Sequence, residues 1–193
     1  VGAEEIVLAN LGPHFVGVTQ LPLDVSDESL MALDACRVRA LRFNVRRGGR
    51  EAVEHLSYFA ERVHEMLGWH AEIYCDSRHL GELETALCRL PAVSIDHLGL
   101  SKKGLPLLYR LVEKGVRVKA TGFGRVDFAV SQVLRRLYDI NPQALMFGTD
   151  LPSTRSPRPF NPVDIEIIGN TLGDDGARRV LWENAAEFYR LPN

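Results

Sequence analysis

Short apolar runs alternate with longer amphipathic stretches along this chain. The short runs predict six strands, because they are rich in Val, Ile, Leu and Phe and end at turn or polar residues. The strands cover residues 15–21, 39–45, 70–75, 93–97, 116–121 and 144–150. The first of them has the sequence Phe-Val-Gly-Val-Thr-Gln-Leu and stops at Pro22.

The stretches between the strands place apolar residues at intervals of three and four, which is the spacing of one buried helix face. They predict helices at residues 26–36, 50–67, 78–90, 103–114 and 128–140, and two final helices at 163–172 and 174–189. Residues 2–11 also have a helical composition. Ser26 is the predicted N-cap of the first full helix, and Gly68 is the predicted end of the longest one.

Strand and helix therefore alternate six times, which predicts an α/β fold with a parallel sheet and right-handed crossovers. Six units allow either an open doubly wound sheet or a TIM-barrel-like (β/α) barrel that lacks two of its eight strands. Two details favour the barrel: the chain begins in a helix, and complete barrels have about 250 residues. We therefore expect an N-terminally incomplete (β/α)8 barrel that forms a single domain over residues 1–193, with about two βα units absent.

An incomplete barrel has two unpaired strand edges and an open interior. Exposed edges invite pairing with another chain, so we expect either a homo-oligomer or some other covering of these edges.

The composition is that of an ordinary globular protein, with 46% hydrophobic residues and a formal net charge of -2. This charge gives no reason to expect nucleic acid as a partner. No apolar run approaches the ~20 residues that cross a membrane. The three cysteines, Cys36, Cys75 and Cys88, are odd in number and lack paired spacing, which fits reduced thiols and a cytoplasmic location. A nucleotide-binding fold has little support, because no strand is followed by Gly-x-Gly-x-x-Gly or a P-loop.

Ionisable residues end two of the predicted strands, at Asp96-His97 and at Asp150. The carboxyl ends of parallel strands are where βα proteins assemble their sites, so we predict a site at this rim. A carboxylate at position 150 would suit either activation of a water molecule or a divalent metal, while its structural alternative is a loop or helix cap. Because neighbouring strand residues alternate between faces, we expect Asp96 to point away from His97 and to serve as a structural hydrogen-bond acceptor.

Three further pairs are spaced by two residues and so share the interior face of a strand: Arg42 with Asn44, Glu72 with Tyr74, and Lys119 with Thr121. A buried arginine needs an anionic partner. For Arg42 this partner is either a substrate carboxylate or an internal acid, Asp150 or Glu72. Lys119 is likewise either a substrate contact or a carboxylate contact.

Arg125 and Arg155 lie in the loops that follow the fifth and sixth strands. These two arginines either close over an anionic substrate or face water.

Six motifs together resemble one known family. They are Arg-Phe-Asn at 42–44, Gly-Trp-His at 68–70, Ile-Asp-His-Leu-Gly at 95–99, Val-Lys-Ala-Thr-Gly at 118–122, Phe-Gly-Thr-Asp-Leu-Pro at 147–152 and Glu-Asn-Ala-Ala-Glu-Phe-Tyr at 183–189. They resemble the amidohydrolase-related (amidohydrolase 2) TIM-barrel hydrolases, nearest to the 2-pyrone-4,6-dicarboxylate lactonases and related sugar lactonases.

The resemblance implies roles for individual residues. Asp150 would be the general base or a metal ligand, and His97 would bind the metal or polarise the substrate carbonyl. Tyr74 and Arg42 would contact a carboxylated substrate. The family's His-x-His pair has no counterpart in this sequence. A zinc site needs three protein ligands, so we expect a divalent metal such as zinc to be weakly bound or absent.

Two functional hypotheses follow. The first is a hydrolase that acts on a lactone or another small carboxylated substrate, with Asp150 as base, His97 as carbonyl contact, and Arg42, Tyr74 and Lys119 among the substrate-binding residues. Asn44, Arg125 and Arg155 complete the predicted substrate-binding set. The second is a catalytically incomplete barrel fragment that acts as an inactive subunit or a ligand-binding module.

Overall fold

All six strands lie in one parallel sheet in the computed structural model of the chain, which describes Leu8, residues 10–45 and residues 50–191. The strands are β1 (Gly17–Thr19), β2 (Val38–Asn44), β3 (His70–Tyr74), β4 (Val93–Ile95), β5 (Arg117–Ala120) and β6 (Leu145–Phe147), and they lie side by side in chain order. Every neighbouring pair is parallel, with Arg42 opposite Glu72 and Lys119 opposite Met146.

Helices connect the strands. They are α1 (Asp27–Ala35), α2 (Arg50–Leu67), α3 (Leu80–Leu87), α4 (Leu105–Glu113) and α5 (Val130–Ile140). After β6 come α6 (Val163–Arg178), a π-helical turn (Arg179–Glu183) and α7 (Asn184–Phe188). Short 3-10 turns at Ser77–His79, His97–Gly99 and Lys102–Gly104 lie between strands and helices.

Local signals in the sequence explain where two of these helices begin and end. The Ser26 hydroxyl accepts a hydrogen bond from the backbone N–H of Ser29 at 3.2 Å, which caps α1 as predicted. Gly68 follows α2 with φ of +66°, a left-handed conformation that glycine adopts without strain.

The outer face of the sheet carries the apolar core. Every second strand residue points outward, and in β3 to β6 these residues join one buried cluster with helices that cover this face. The strand members include Ile73, Ile95, Val118 and Leu145, and the helix members include Leu56, Leu83, Leu108 and Leu134. Full burial of one such side chain stabilises the fold by about 1.5–3 kcal/mol.

The predicted alternation of six strands and helices is confirmed, and the structure is a partial (β/α) barrel. Five strands are shorter than predicted: β1, β4 and β6 each have three residues, β5 has four and β3 has five. The predicted break between the last two helices appears as a kink at Gly173, where φ is +73°. The helix predicted at 2–11 lies largely outside the described residues.

In the part of the chain that the structure describes, no helix is long and apolar enough to cross a membrane. Cys36, Cys75 and Cys88 are free thiols.

Candidate active site

The inner, concave face of the sheet is polar, in contrast to the outer face. Arg42 on β2, Glu72 on β3 and Lys119 on β5 point into it, and Asp96 follows β4 on the same side. Two of their contacts, Arg42 with Asp96 and Lys119 with Glu72, join strands that are not neighbours in the sheet, as expected where the sheet curves around its inner face. The charged residues of four chain segments therefore meet in one place.

A cavity of about 650 Å³ opens at the carboxyl ends of these strands. Seven of the eight predicted site residues line it: Arg42, Asn44, Tyr74, His97, Arg125, Asp150 and Arg155. The eighth, Lys119, lines an adjoining cavity of about 370 Å³ that also contacts Arg42, His97 and Asp150. The structure thus brings all the predicted residues together, while their roles stay predictions.

Asp150 and His97 face each other across this cavity. His97 Nε2 lies 3.8 Å from Asp150 Oδ1, which is longer than a direct hydrogen bond. The other carboxylate oxygen, Oδ2, accepts a hydrogen bond from Arg125 Nε at 2.6 Å. Asp150 is therefore held on one side by a cation and presents its second oxygen to the imidazole.

His97 is fixed by its own set of contacts. Its Nδ1 lies 2.8 Å from the Thr121 hydroxyl, and the Tyr74 ring packs edge-on against it at 5.6 Å between ring centres. Burial lowers the pKa of His97 below its ordinary value of 6.5; the nearby Asp96 and Asp150 partly counteract this, while Arg125 and Arg42 add to it. This shift favours the neutral form of the imidazole.

Gly122 allows the chain to pass close to this imidazole. A Cβ at position 122 would lie 2.9 Å from His97 Nδ1, and φ there is +60°. Both observations require glycine at this position.

Asp96 faces the same side as His97, so the prediction that it points away was wrong. β4 ends at Ile95, and His97 has φ of +50°, which breaks the alternation and turns the imidazole back toward the cavity. Asp96 lies two residues after Ser94 and therefore points to the same, inner face. Its carboxylate, 2% exposed, pairs with Arg42 Nη2 at 2.7 Å. The internal partner of Arg42 is therefore Asp96, and neither Asp150 nor Glu72.

Lys119 is engaged by two acids. Its ammonium donates to Glu72 Oε2 and lies 3.3 Å from Asp96 Oδ1. Burial alone would raise the pKa of Glu72, but Lys119 and His70 together lower it to about 2. Glu72 is therefore ionised at neutral pH and balances the charge of Lys119.

Tyr189 is the residue that sequence reasoning missed. Its hydroxyl donates to Glu72 Oε1, and its ring lines the smaller cavity beside Lys119. Asn184 anchors this end of the chain, because its side-chain amide donates to the carbonyls of Pro142 and Leu145 at 2.9 and 2.8 Å. The Glu-Asn-Ala-Ala-Glu-Phe-Tyr motif was the available signal, but it gave no reason to place Tyr189 on the inner face.

The loop arginines differ in their surroundings. Arg125 does not simply face water, since it bridges Asp150 and the Thr154 carbonyl, the latter at 3.1 Å. Arg155 is exposed and has no acidic partner among the described residues. Together with Arg42 they give the main cavity three guanidinium groups and one carboxylate, an environment that attracts anions.

The described residues of this site do not by themselves complete a zinc site. His97 and Asp150 provide two ligands, and Arg125 already occupies one oxygen of Asp150. A catalytic zinc site uses three protein ligands, and within the described ranges no group of three or more His, Cys, Asp or Glu side chains is placed to hold a metal.

Comparison with known protein families identifies the family of this chain. A model of the amidohydrolase family matches residues 6–191, nearly the whole chain. The chain belongs to the amidohydrolase family. It is thereby placed in a family of hydrolases, as the six motifs predicted. A search of the curated proteins found no significant match.

Solved structures of similar fold agree with this assignment. A protein from Acinetobacter baumannii, named as a probable 2-pyrone-4,6-dicarboxylic acid hydrolase and holding citric acid, has a TM-score of 0.78 at 20% identity over 97% of this chain and 78% of its own. A Pseudomonas putida protein given the same activity in its name has a TM-score of 0.77 at 23% identity, with coverages of 98% and 77%. A protein from Agrobacterium tumefaciens has a TM-score of 0.79 at 19% identity, with coverages of 99% and 75%. At these identities the likeness concerns the fold.

Proposed function

We propose that this amidohydrolase cleaves a lactone or another small carboxylated compound by attack of water on a carbonyl. The observation that supports this most strongly is the pair of Asp150 and His97 at a cavity lined by three arginines. The pair supplies a base and a carbonyl contact, and the arginines supply the positive charge that binds a substrate carboxylate.

The spacing of the pair suits the two reacting groups. In the proposed complex a water molecule contacts Asp150 Oδ1, and the substrate carbonyl oxygen contacts His97 Nε2. Oδ1 and Nε2 are 3.8 Å apart. Water and carbonyl are then neighbours, as addition requires. Asp150 takes a proton from the water, the water oxygen bonds to the carbonyl carbon, and the ring C–O bond breaks as the proton passes to the leaving oxygen.

His97 would act as a neutral hydrogen-bond donor. In this role the Thr121 hydroxyl donates to Nδ1, so that Nε2 carries the proton and points to the carbonyl oxygen. The lowered pKa of His97 supports a neutral ring at physiological pH.

Arginine geometry supports a carboxylated substrate. Arg42 lies against the Tyr74 ring, with its guanidinium carbon 5.4 Å from the ring centre, on one side of the cavity, and Arg155 lies in the loop that follows β6. Guanidinium groups bind carboxylates in a bidentate manner. A cyclic lactone with one or two carboxylates, of the kind in the names of two structural neighbours, would match these charges.

A substrate screen tests the proposal. Lactones with a free carboxylate and their methyl esters are incubated with the purified chain, and acid release is followed with a pH indicator. We expect hydrolysis of the free carboxylates and at least tenfold lower kcat/KM for the esters. If no lactone in either set is hydrolysed, the proposal fails.

We also propose that hydrolysis needs no resident metal, because the described residues provide only two ligands at the site. Dialysis against a chelator followed by metal analysis and assay tests this. We expect unchanged activity in a preparation that contains far less than one metal ion per chain. Loss of activity that zinc restores would contradict it.

A second candidate is a binding module without turnover. The observation that favours it is the Arg125 contact, which already occupies one oxygen of the proposed base. Anion binding without hydrolysis of any lactone would support this candidate over the first.

We also propose that the chain forms a homo-oligomer. Among the described residues, β1 and β6 each pair with a strand on one side only. Light scattering of the purified chain should give at least twice the monomer mass of 21.6 kDa, and a monodisperse monomer would contradict this.

A further inference from the structure

We propose that Asp96 is a positioning residue that holds the guanidinium group of Arg42 in the orientation in which it binds a substrate carboxylate. This inference rests on the proposed function, which gives Arg42 the carboxylate. In the proposed complex, Asp96 itself does not contact the substrate.

Arg42 has two contacts that together define its orientation. Its guanidinium carbon lies 5.4 Å from the centre of the Tyr74 ring, and its Nη2 lies 2.7 Å from Asp96 Oδ2. A ring face attracts a cation but leaves the guanidinium free to turn in its plane. The carboxylate removes that freedom, because it attracts one end of the group.

The contact with Asp96 leaves the N–H groups of Arg42 available. The contact joins Nη2 at one end of the guanidinium to the buried Asp96 Oδ2 at 2.7 Å. A guanidinium group has five N–H donors, so this contact does not use all of them. With 34% of its side chain exposed, Arg42 retains donors that can point into the cavity.

Asp96 is well suited to this role because it is itself fixed. Its backbone N–H donates to the Ile73 carbonyl at 3.0 Å, and its Oδ1 lies 3.3 Å from Lys119 Nζ. Lys119 in turn is held by Glu72. The position of the carboxylate is therefore set by β3 and β5 rather than by the mobile end of an arginine.

Lys119 also explains how Arg42 can serve two anions. An unpaired buried carboxylate is costly, so Arg42 could not turn toward a substrate if it were the sole partner of Asp96. Because Lys119 stays beside Asp96, the charge of Arg42 can be shared with a substrate carboxylate. Lys119 then acts behind the site, as a partner of acids rather than as a substrate contact.

Citrate is the probe for the test, since this tricarboxylate is bound in the Acinetobacter baumannii structure of the same fold. Its dissociation constant is measured by calorimetry for the wild-type chain and for Asp96→Asn. We expect about tenfold weaker binding in the variant. The matched control is Asp34→Asn. Asp34 pairs at 2.9 Å with Arg39, which lies on the same strand as Arg42 but on the opposite face of the sheet. We expect the control to change the dissociation constant less than twofold.

A double-mutant cycle separates positioning from a general effect of charge. If Asp96 acts through Arg42, Asp96→Asn has no further effect on citrate binding once Arg42→Met is present. If Asp96 acts only through its charge, its effect persists in the Arg42→Met background, and the inference is overturned.

The cycle also distinguishes two failures. Weaker binding in Arg42→Met with unchanged binding in Asp96→Asn would overturn this inference alone. Unchanged binding in Arg42→Met would overturn the carboxylate-binding role of Arg42 and, with it, this inference.

A measurement on the wild-type chain covers the case in which Asp96→Asn does not fold. The Nε–H order parameter of Arg42 in NMR relaxation should be near 0.85, about the value of a rigid group, and that of Arg155 should be below 0.6. Equal, low values for both arginines would show that Asp96 does not hold Arg42.

Discussion

The two faces of the sheet are held together by different forces. On the outer face, Ile73, Ile95 and Val118 pack against leucines of the covering helices. On the inner face, Glu72, Lys119 and Asp96 form buried ion pairs. Apolar contacts depend on buried area and have little directional preference, whereas ion pairs depend on position.

This difference separates stability from function. Buried ion pairs give little net stability, because the cost of removing charges from water offsets their attraction. Apolar residues of similar volume would hold the inner face together equally well. The charges on that face are therefore better explained by the chemistry of a site than by the requirements of the fold.

The substitution that should disrupt the inner face most removes the cation that Glu72 and Asp96 share. Lys119→Met leaves Glu72 and Asp96 without their common partner, and we expect a loss of about 4 kcal/mol in the free energy of unfolding. Urea denaturation measures it. Addition of Glu72→Gln should recover part of the loss, and a loss below 1 kcal/mol in the single variant would show that the pairs are not closely coupled.

The corresponding change on the outer face should affect stability alone. Leu108→Ala removes a fully buried side chain of α4, and we expect a loss of about 3 kcal/mol. Because Leu108 lies on the other side of the sheet, the kcat and KM per folded molecule should stay unchanged. A shift in KM above twofold would contradict the division between the two faces.

Acid should weaken the inner face specifically. The pKa of Glu72 is lowered from 4.5 to about 2, so its contribution is complete above pH 4.5 and is lost as the pH falls toward 2. The contribution is about 3 kcal/mol. Unfolding measured between pH 6 and 3 should therefore show a steeper loss of stability for the wild-type chain than for Glu72→Gln. Parallel curves for the two would contradict this assignment.

Tyr189→Phe should have a smaller effect. The hydroxyl donates to the charged Glu72, and a hydrogen bond of this type contributes about 2 kcal/mol. Thermal unfolding should show the loss, with citrate affinity unchanged. An unaltered midpoint would mean that the chain end is not tied to the inner face through this contact.

The smallest expected effect concerns the acid limb of the pH–rate profile. Burial lowers the pKa of His97, so the neutral ring persists below pH 6.5 and kcat/KM should fall only under that value. An acid limb centred above pH 7 would contradict a neutral His97.

Sequence patterns predicted most of the outer face and less of the inner face. Apolar periodicity depends on local spacing and capping depends on residue type, so the six βα units and the Ser26 cap could be predicted. The orientation of Asp96 and His97 did not, because it depends on a positive φ at position 97 that no spacing rule contains. Tyr189 was missed because its contact with Glu72 joins residues 117 positions apart.

If the carboxylate of Asp150 activates water at the inner face, its removal should lower the rate of hydrolysis without unfolding the chain. The steady-state hydrolysis of the best lactone is compared between the wild-type chain and Asp150→Asn at equal concentrations of folded protein. We expect kcat to fall by about 10²–10⁴-fold while the midpoint of thermal unfolding moves little. An Asp150→Asn variant that hydrolyses the lactone at the wild-type rate would contradict it.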